Sequence, residues 1–267
     1  MKAFILALAI FSTAVFAQAP ATIDFSKFPS ESILIEDVVV PVPGEIFRVL
    51  DKLGKPKWRD VQHASKGVAQ PFGDPPQIAL MLGVVIADGF VAVEAEDAQE
   101  VEQVGRSVLN LAKAIGVEKT VVSRSKSIID SAGGKDWPAV RRELDGALKD
   151  VRMAMNDVNS QSLAQLVSLG GWLRGTEALA TVVTTDFTAD GAELLEQPLL
   201  LDHFDRRLTD LNPRQKASPG IAEIHRDVVK LRPLLRPEEG KTITQKSVKE
   251  IQTITAALIR NIRTKTL

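Results

Sequence analysis

Two segments of the chain are apolar around nearly their whole circumference, and the other elements are predicted outward from them. No polar face is found in residues 77–95 (QIALMLGVVIADGFVAVEA), which indicates a helix buried on all sides. Residues 160–183 (SQSLAQLVSLGGWLRGTEALATVV) are mostly apolar and include three glycines. Because a glycine inside a helix costs about 1 kcal/mol relative to alanine, that segment is predicted to pack unusually closely against a neighbour. We therefore place both helices at the centre of the fold.

The remaining periodic stretches carry apolar residues at spacings of three and four, which is typical of amphipathic helices. Long helices are predicted over residues 97–115, 118–131, 136–158, 198–211, 218–231 and 244–263, and short ones over 44–53, 58–65 and the stretch before Pro198. Strand signals are absent after Val42. The fold class predicted is all-α, a multi-helix bundle of about eight to ten helices, with residues 44–267 as a single helical domain.

The N-terminal part of the chain is predicted to contain no helix in the mature protein. Residues 1–17 read as a secretory signal peptide that is cleaved after Ala17, with a positive start, a short apolar core and small residues before the cleavage site. Residues 18–43 contain prolines and a run of β-branched residues, so they are predicted to form an extended arm that wraps the domain or pairs as an edge strand.

Composition narrows the cellular setting and the function classes. The chain has no cysteine, which excludes disulfides, thiol chemistry and a lipoprotein anchor. A formal net charge of −1 gives no support to nucleic-acid binding, and the absence of tyrosine argues against a base-stacking or carbohydrate-binding surface. We expect a periplasmic or secreted protein with no transmembrane segment after the signal peptide is removed.

Two charged residues lie within the apolar central helices, Asp88 in the first and Arg174 in the second. A buried charge without a partner is strongly unfavourable, so each needs an explanation. The favoured interpretation is an ion pair between them that fixes the register of the two helices. Alternatively, Arg174 pairs with Glu177 one turn further along, at the surface. A third interpretation is a polar pocket in which Arg174 binds a carboxylate or phosphate.

Small residues predict where the central helices touch. Gly171 and Gly175 lie on one face of the second helix, Gly83 and Gly89 could supply the matching approach on the first, and Trp172 is assigned to the same closely packed region. The spacing of Gly171 and Gly175 also resembles the small-residue motif of membrane helices, but the polar residues around it favour a soluble core.

One internal similarity is worth testing. Shifting the chain by 86 residues places Asp88 on Arg174 and Gly89 on Gly175. An ancient duplication would explain these matches, and so would chance among apolar helices.

No catalytic constellation is found in the sequence, and we predict no metal site and no cofactor. The three histidines, His63, His203 and His225, lack metal-ligand spacing, so they are predicted to be exposed. The favoured function is a non-enzymatic binding or scaffolding protein of the bacterial cell envelope, with a protein or small-molecule partner that the sequence does not identify. A small-ligand binder with a pocket between the central helices is the alternative. An enzyme that uses dispersed carboxylates such as Glu94, Glu96 and Asp97 is a third hypothesis.

Overall fold

A computed structural model of the chain describes residues 33–35, 38–40, 56–63, 67–157, 160–238 and 240–264. The predicted signal peptide, the predicted helix over residues 44–53 and most of the predicted arm lie outside these residues. Within the arm, strand β1 (Ile33–Ile35) pairs with strand β2 (Val38–Val40) in an antiparallel hairpin, with Ile33 opposite Val40.

The rest of the described chain is helical, which confirms the predicted all-α bundle. Eight long helices are joined by short loops, with three short helices among them. In chain order the helices are α1 (Trp58–Val61), α2 (Pro75–Glu94), α3 (Ala98–Ala114), α4 (Glu118–Gly133), α5 (Trp137–Asp157), α6 (Gln161–Thr185), α7 (Ala189–Glu193), α8 (Pro198–Asp210), α9 (Pro213–Lys216), α10 (Pro219–Leu235) and α11 (Gln245–Arg263).

Several helix starts follow directly from side chains that cap them. Asp74 accepts a hydrogen bond from the backbone of Gln77 at the start of α2, where two prolines occupy the first turn. Asp97 caps α3 and Asp136 caps α5 in the same way, as predicted. The helix predicted over residues 218–231 is longer in the structure, because α10 continues past Pro233 to Leu235. A proline so near the end of a helix removes little of its hydrogen bonding.

The long helices form two sets of four. Helices α2 to α5 pack in succession, and the set closes where α5 returns to α2. Helices α6, α8, α10 and α11 form the second set, which closes where α11 returns to α6. The most extensive contact in the described chain joins α2 to α6, the first helix of each set. In addition, α5 contacts α6 and α11 contacts α2. The last helix of each set therefore contacts the first helix of the other set.

Helices α2 and α6 run parallel. Gly83 of α2 lies against Gly171 of α6, and Asp88, further along α2, is bonded to Arg174, further along α6. Asp88 is bonded to Arg174, and the pair is separated by 86 residues. Positions at the offset found in the sequence therefore lie at the same level of two parallel helices. This geometry is the one that a duplicated four-helix unit would produce, and the duplication itself stays a hypothesis.

The closest approach between α2 and α6 occurs at glycines. A Cβ built on Gly83 would lie 1.9 Å from the carbonyl oxygen of Val167 and 2.8 Å from the nitrogen of Gly171. A Cβ built on Gly170 would lie 2.1 Å from the carbonyl oxygen of Leu80. Gly83 of α2 therefore meets Gly171 of α6, and Gly170 lies in the same contact although it was not among the glycines predicted there.

Two other residues assigned to this contact face different neighbours. A Cβ on Gly89 would meet Leu144 of α5 and Val104 of α3, both at 2.9 Å, so the predicted match of this glycine with α6 is wrong. Trp172 is buried, but its ring lies against Phe204 of α8, with ring centroids 5.2 Å apart. Gly175 is buried within α6, as a packing role requires.

Both central helices lie inside the bundle. Every residue from Pro76 to Val93 of α2 is buried. Among the described residues, α2 is also the one helix that is long and apolar enough to cross a membrane, with a mean hydropathy of 1.9, and the whole of that apolar window is covered by the rest of the protein.

Candidate functional site

The guanidinium of Arg174 is the centre of a buried charge network. Arg174 has an exposed fraction of 0% although it is one of the longest side chains in the protein. Its Nε donates to Asp88 Oδ1 at 2.7 Å, its Nη1 donates to Glu177 Oε2, and its Nη2 donates to the carbonyl oxygen of Val61 at 2.8 Å. Each nitrogen of the guanidinium thus contacts an oxygen of the protein, and three elements (α1, α2 and α6) are tied together by one side chain.

Asp88 joins a second arginine to the network. Its Oδ2 lies against Nη2 of Arg263, in the last turn of α11. Burial lowers the pKa of Arg263 to about 10, and burial likewise lowers the pKa of Arg174, against the charge and hydrogen bond of Glu177, which raise it. The carboxylate of Asp88 therefore lies between two guanidinium groups that have lost much of their contact with water.

Glu177 connects the network to the N-terminal side of the bundle. Both of its carboxylate oxygens lie 3.1 Å from Nε2 of His63, just after α1. Burial raises the pKa of Glu177, but the hydrogen bond from His63 and the charge of Arg174 outweigh it, so the pKa lies below its ordinary value. We therefore assign Glu177 as a carboxylate at neutral pH.

The network contains both of the ion pairs that the sequence suggested as alternatives for Arg174. The predicted ion pair with Asp88 is present and joins the two central helices. The pair with Glu177 is also present, but it is buried rather than at the surface, because Glu177 is only 5% exposed. A ligand-binding role for these three residues stays a prediction, and Arg174 itself is fully buried.

Three partners in the network were not found from the sequence. The carbonyl of Val61 carries no side-chain signal, and His63 was predicted to be exposed, although it lies half-buried against Glu177. Arg263 lies with Arg260 in the last turn of a helix, where a positive charge is favourable in any case. Each of these residues is distant in sequence from its partner, and a periodicity argument detects only neighbours on the same helix.

The other two histidines also differ from the expectation of exposure. His203 is only 1% exposed, and its Nε2 lies 3.3 Å from Oε1 of Gln165. His225 Nε2 lies 2.8 Å from Asp205 Oδ1, across the contact of α10 with α8. In each of these two histidines Nε2 is therefore engaged by a neighbouring helix, and the expectation of exposed histidines is wrong.

Two of the carboxylates considered for catalysis, Glu94 and Asp97, have structural partners. Glu94 Oε2 accepts a hydrogen bond from Arg141 of α5, and Asp97 caps α3 and accepts a hydrogen bond from Gln62. Glu96 occupies a left-handed backbone position at the turn between α2 and α3, with φ of 52°. Over the described chain, no group of three or more His, Asp or Glu side chains is placed to hold a metal ion.

The depressed pKa of Glu177 makes a pH dependence of stability predictable. A carboxylate with a lowered folded-state pKa contributes stability that is fully present above its unfolded pKa of about 4.3 and is lost as the pH falls through the folded-state value. Below that unfolded value we expect the free energy of unfolding of the wild type to fall more steeply with decreasing pH than that of Glu177→Gln. Urea unfolding at a series of pH values measures both slopes, and parallel curves for the two proteins would contradict the assignment.

The fold and the site together define the class: an all-α bundle of two four-helix sets, joined by parallel central helices and a buried network of arginines and carboxylates. Comparisons with protein-family models, with curated proteins and with solved structures give no significant match.

Proposed function

We propose that the mature chain is a non-enzymatic binding or scaffolding protein of the bacterial cell envelope. The observation that carries this proposal is the use made of Arg174. Each nitrogen of its guanidinium donates a hydrogen bond within the protein, to Asp88, to Glu177 or to the carbonyl of Val61. A charge used in this way fixes the positions of helices, and a rigid support is what a scaffold requires.

The close contact between α2 and α6 adds to the rigidity that the charge network gives. Glycine-mediated contact between α2 and α6 leaves no room for the two helices to slide, because the backbone atoms themselves limit the approach. Partners of such a protein bind on the outer helices, where large apolar side chains reach solvent. Leu199 at the start of α8 is 70% exposed and Met153 on α5 is 54% exposed.

The cell-envelope location rests on the predicted signal peptide. We expect mass spectrometry of the protein isolated from the envelope fraction to give a mature N-terminus at Gln18. An intact N-terminus in the cytoplasmic fraction would contradict the location and would leave the scaffold proposal without its setting.

Binding to a protein partner is tested with a photo-crosslinking amino acid placed at Leu199 or Met153 in the producing cell. We expect a discrete adduct with one partner from at least one of these positions. The matched control is Arg106, an exposed residue of α3 that is paired with Glu102 on its own helix and should give no adduct. Substrate turnover by the purified protein, or saturable binding of a metabolite without any adduct, would favour the other function classes.

A further inference from the structure

The contact between the glycines of α2 and α6 repeats itself after a shift along the chain. A Cβ built on Gly83 or on Gly170 would meet one carbonyl oxygen and one backbone nitrogen of the other helix. From Gly83 these atoms belong to Val167 and Gly171, and from Gly170 they belong to Leu80 and Val84. A shift of 87 residues between the two helices exchanges one set of contacts with the other. Contacts that are reciprocal in this way are those of two equivalent surfaces related by a two-fold axis.

Buried side chains on the other three helices of the first set have counterparts at the same spacing on the second set. On α3 and α8 the buried pairs are Val101 with Leu201, Val104 with Phe204, Val108 with Leu208 and Leu111 with Leu211. On α4 and α10 they are Val121 with Ile224, Ser125 with Val228, Ile128 with Leu231 and Ala132 with Leu235. On α5 and α11 they are Val140 with Ile251, Leu144 with Thr255, Ala147 with Leu258, Leu148 with Ile259 and Val151 with Ile262. The long helices therefore correspond in chain order, and α7 and α9 lie in the longer connections of the second set.

The ends of the two sets also meet in the same way. Helix α5 ends at Asp157 and α6 begins at Gln161, so a short connection brings the end of the first set to the start of the second. At the start of α2, Gln77 Nε2 donates to the carbonyl oxygen of Ile262, in the last turn of α11, at 2.9 Å. The end of the second set therefore lies at the start of the first without a covalent link. Spacing alone would align any two amphipathic helices, but it does not produce contacts that are repeated in both directions.

We infer that the helical domain is a fused dimer of one four-helix unit, with residues 75–157 as the first copy and residues 161–263 as the second. The surface that α2 and α5 form fits a second copy of the unit, and the chain supplies that copy itself as α6 and α11. The interface is isologous, because the first helices of the two copies meet each other and the last helix of each copy contacts the first helix of the other. This inference is independent of the scaffold proposal, since it concerns how the two halves of the chain recognise each other.

One ion pair of this interface has lost its counterpart. Arg263, at the end of α11, contacts Asp88 of α2. The shifts that align the helices place Arg263 on Arg152 of α5 and Asp88 on Gly175 of α6. Asp88 and Arg174, which the shift of 86 residues matched, are thus neighbours across the axis and not counterparts. Burial lowers the pKa of Arg152 and of Arg263 to about 10, as expected of equivalent positions. The second copy of the ion pair therefore keeps its arginine and lacks its acid.

The two-fold relation is tested in the full mature chain by distances between spin labels. The chain has no cysteine of its own, so pairs of introduced cysteines can be labelled without background. Lys149 and Arg260 are exposed counterparts on α5 and α11, and Lys126 and Val229 are exposed counterparts on α4 and α10. Double electron–electron resonance should give the same most populated distance for Lys149→Cys with Val229→Cys as for Arg260→Cys with Lys126→Cys. Distances that differ by more than the widths of the two distributions would overturn the inference.

The missing acid gives a second test, the substitution Gly175→Asp. Arg152 should pair with the new carboxylate, so the fall in Tm that Gly175→Asp causes should be about 5 °C smaller in the wild type than in Arg152→Met. Arg106→Met is the matched control, because it removes an exposed arginine that is paired with Glu102 on its own helix, and it should leave that fall unchanged. An equal fall in all three backgrounds would overturn the placement of Arg152 opposite Gly175, and the fused dimer with it. If Gly175→Asp does not fold in any background, the spin-label distances decide.

Discussion

Replacing Arg174 by methionine is expected to destabilise the protein by about 3–5 kcal/mol, because removing one partner of a buried ion pair leaves an uncompensated charge behind. Here the loss would expose two carboxylates to that penalty, those of Asp88 and Glu177, together with the carbonyl of Val61. The free energy of unfolding from urea titration at neutral pH measures the effect.

The two carboxylates should respond differently to a second substitution. Asp88 retains Arg263 when Arg174 is lost, whereas Glu177 retains only His63 among the charged or titratable groups of the network. We therefore expect Arg174→Met combined with Glu177→Gln to recover part of the stability that Arg174→Met loses. A double variant that is less stable than the single one, or a single variant within about 1 kcal/mol of the wild type, would show that water compensates these charges.

Substitution of Gly83 or Gly170 by alanine should destabilise the protein by about 3 kcal/mol, at the upper end of the usual cost of overpacking. The added Cβ would lie 1.9 Å from the carbonyl oxygen of Val167 in one case and 2.1 Å from that of Leu80 in the other. Backbone atoms cannot rotate away as a side chain can, so α2 and α6 would have to separate. The shift in the urea midpoint and the change in Tm both measure this loss.

Gly133 provides the matched control for the glycine substitutions. It also lies in a helix, at the end of α4, but a Cβ added there would have open space around it. Gly133→Ala should therefore leave stability unchanged or raise it by about 0.4–1 kcal/mol through the unfolded chain. If Gly83→Ala behaved like this control, the close contact between α2 and α6 would be wrong.

Most of the fold could be predicted because the sequence signals of a helix lie within the helix or next to it. The apolar spacing of α3, α5 and α11 and the caps at Asp97 and Asp136 depend on residues within a few turns of each other. The predicted centre of the fold followed from two segments that have no polar face, and α2 and α6 do make the most extensive helix contact.

The neighbours that individual residues pack against were harder to predict than the helices that carry those residues. Gly89 was matched with α6, but a Cβ added there would meet α5 and α3. Trp172 was predicted to be closely packed, and its ring lies against α8. A helix that is apolar all round contacts several neighbours at once, so its sequence does not distinguish one buried face from another. The same limitation hid Gly170, which lies next to Gly171 in the part of α6, residues 166–180, that is buried on every side.

The candidate site could be predicted only in its central pair. A buried charge in an apolar helix is unfavourable without a partner, and this reasoning predicted the pair of Arg174 with Asp88. His63 and Arg263 do not lie in apolar segments, so nothing in the sequence indicated that either needs a buried partner. Contacts between residues so distant in sequence are determined by the packing of the whole bundle, which a single sequence does not display.

The separation of these partners has a consequence for the order of events during folding. The three contacts of Arg174 and Glu177 with Asp88, Val61 and His63 join residues 86 to 114 positions apart, and Asp88 also contacts Arg263 near the end of α11. Loops of that length close slowly compared with the formation of a helical hairpin. Because Arg263 lies at the end of α11, the network around Asp88 stays incomplete until the last helix has been synthesised. We expect nascent chains that end before α11 to lack the protease resistance of the full-length protein.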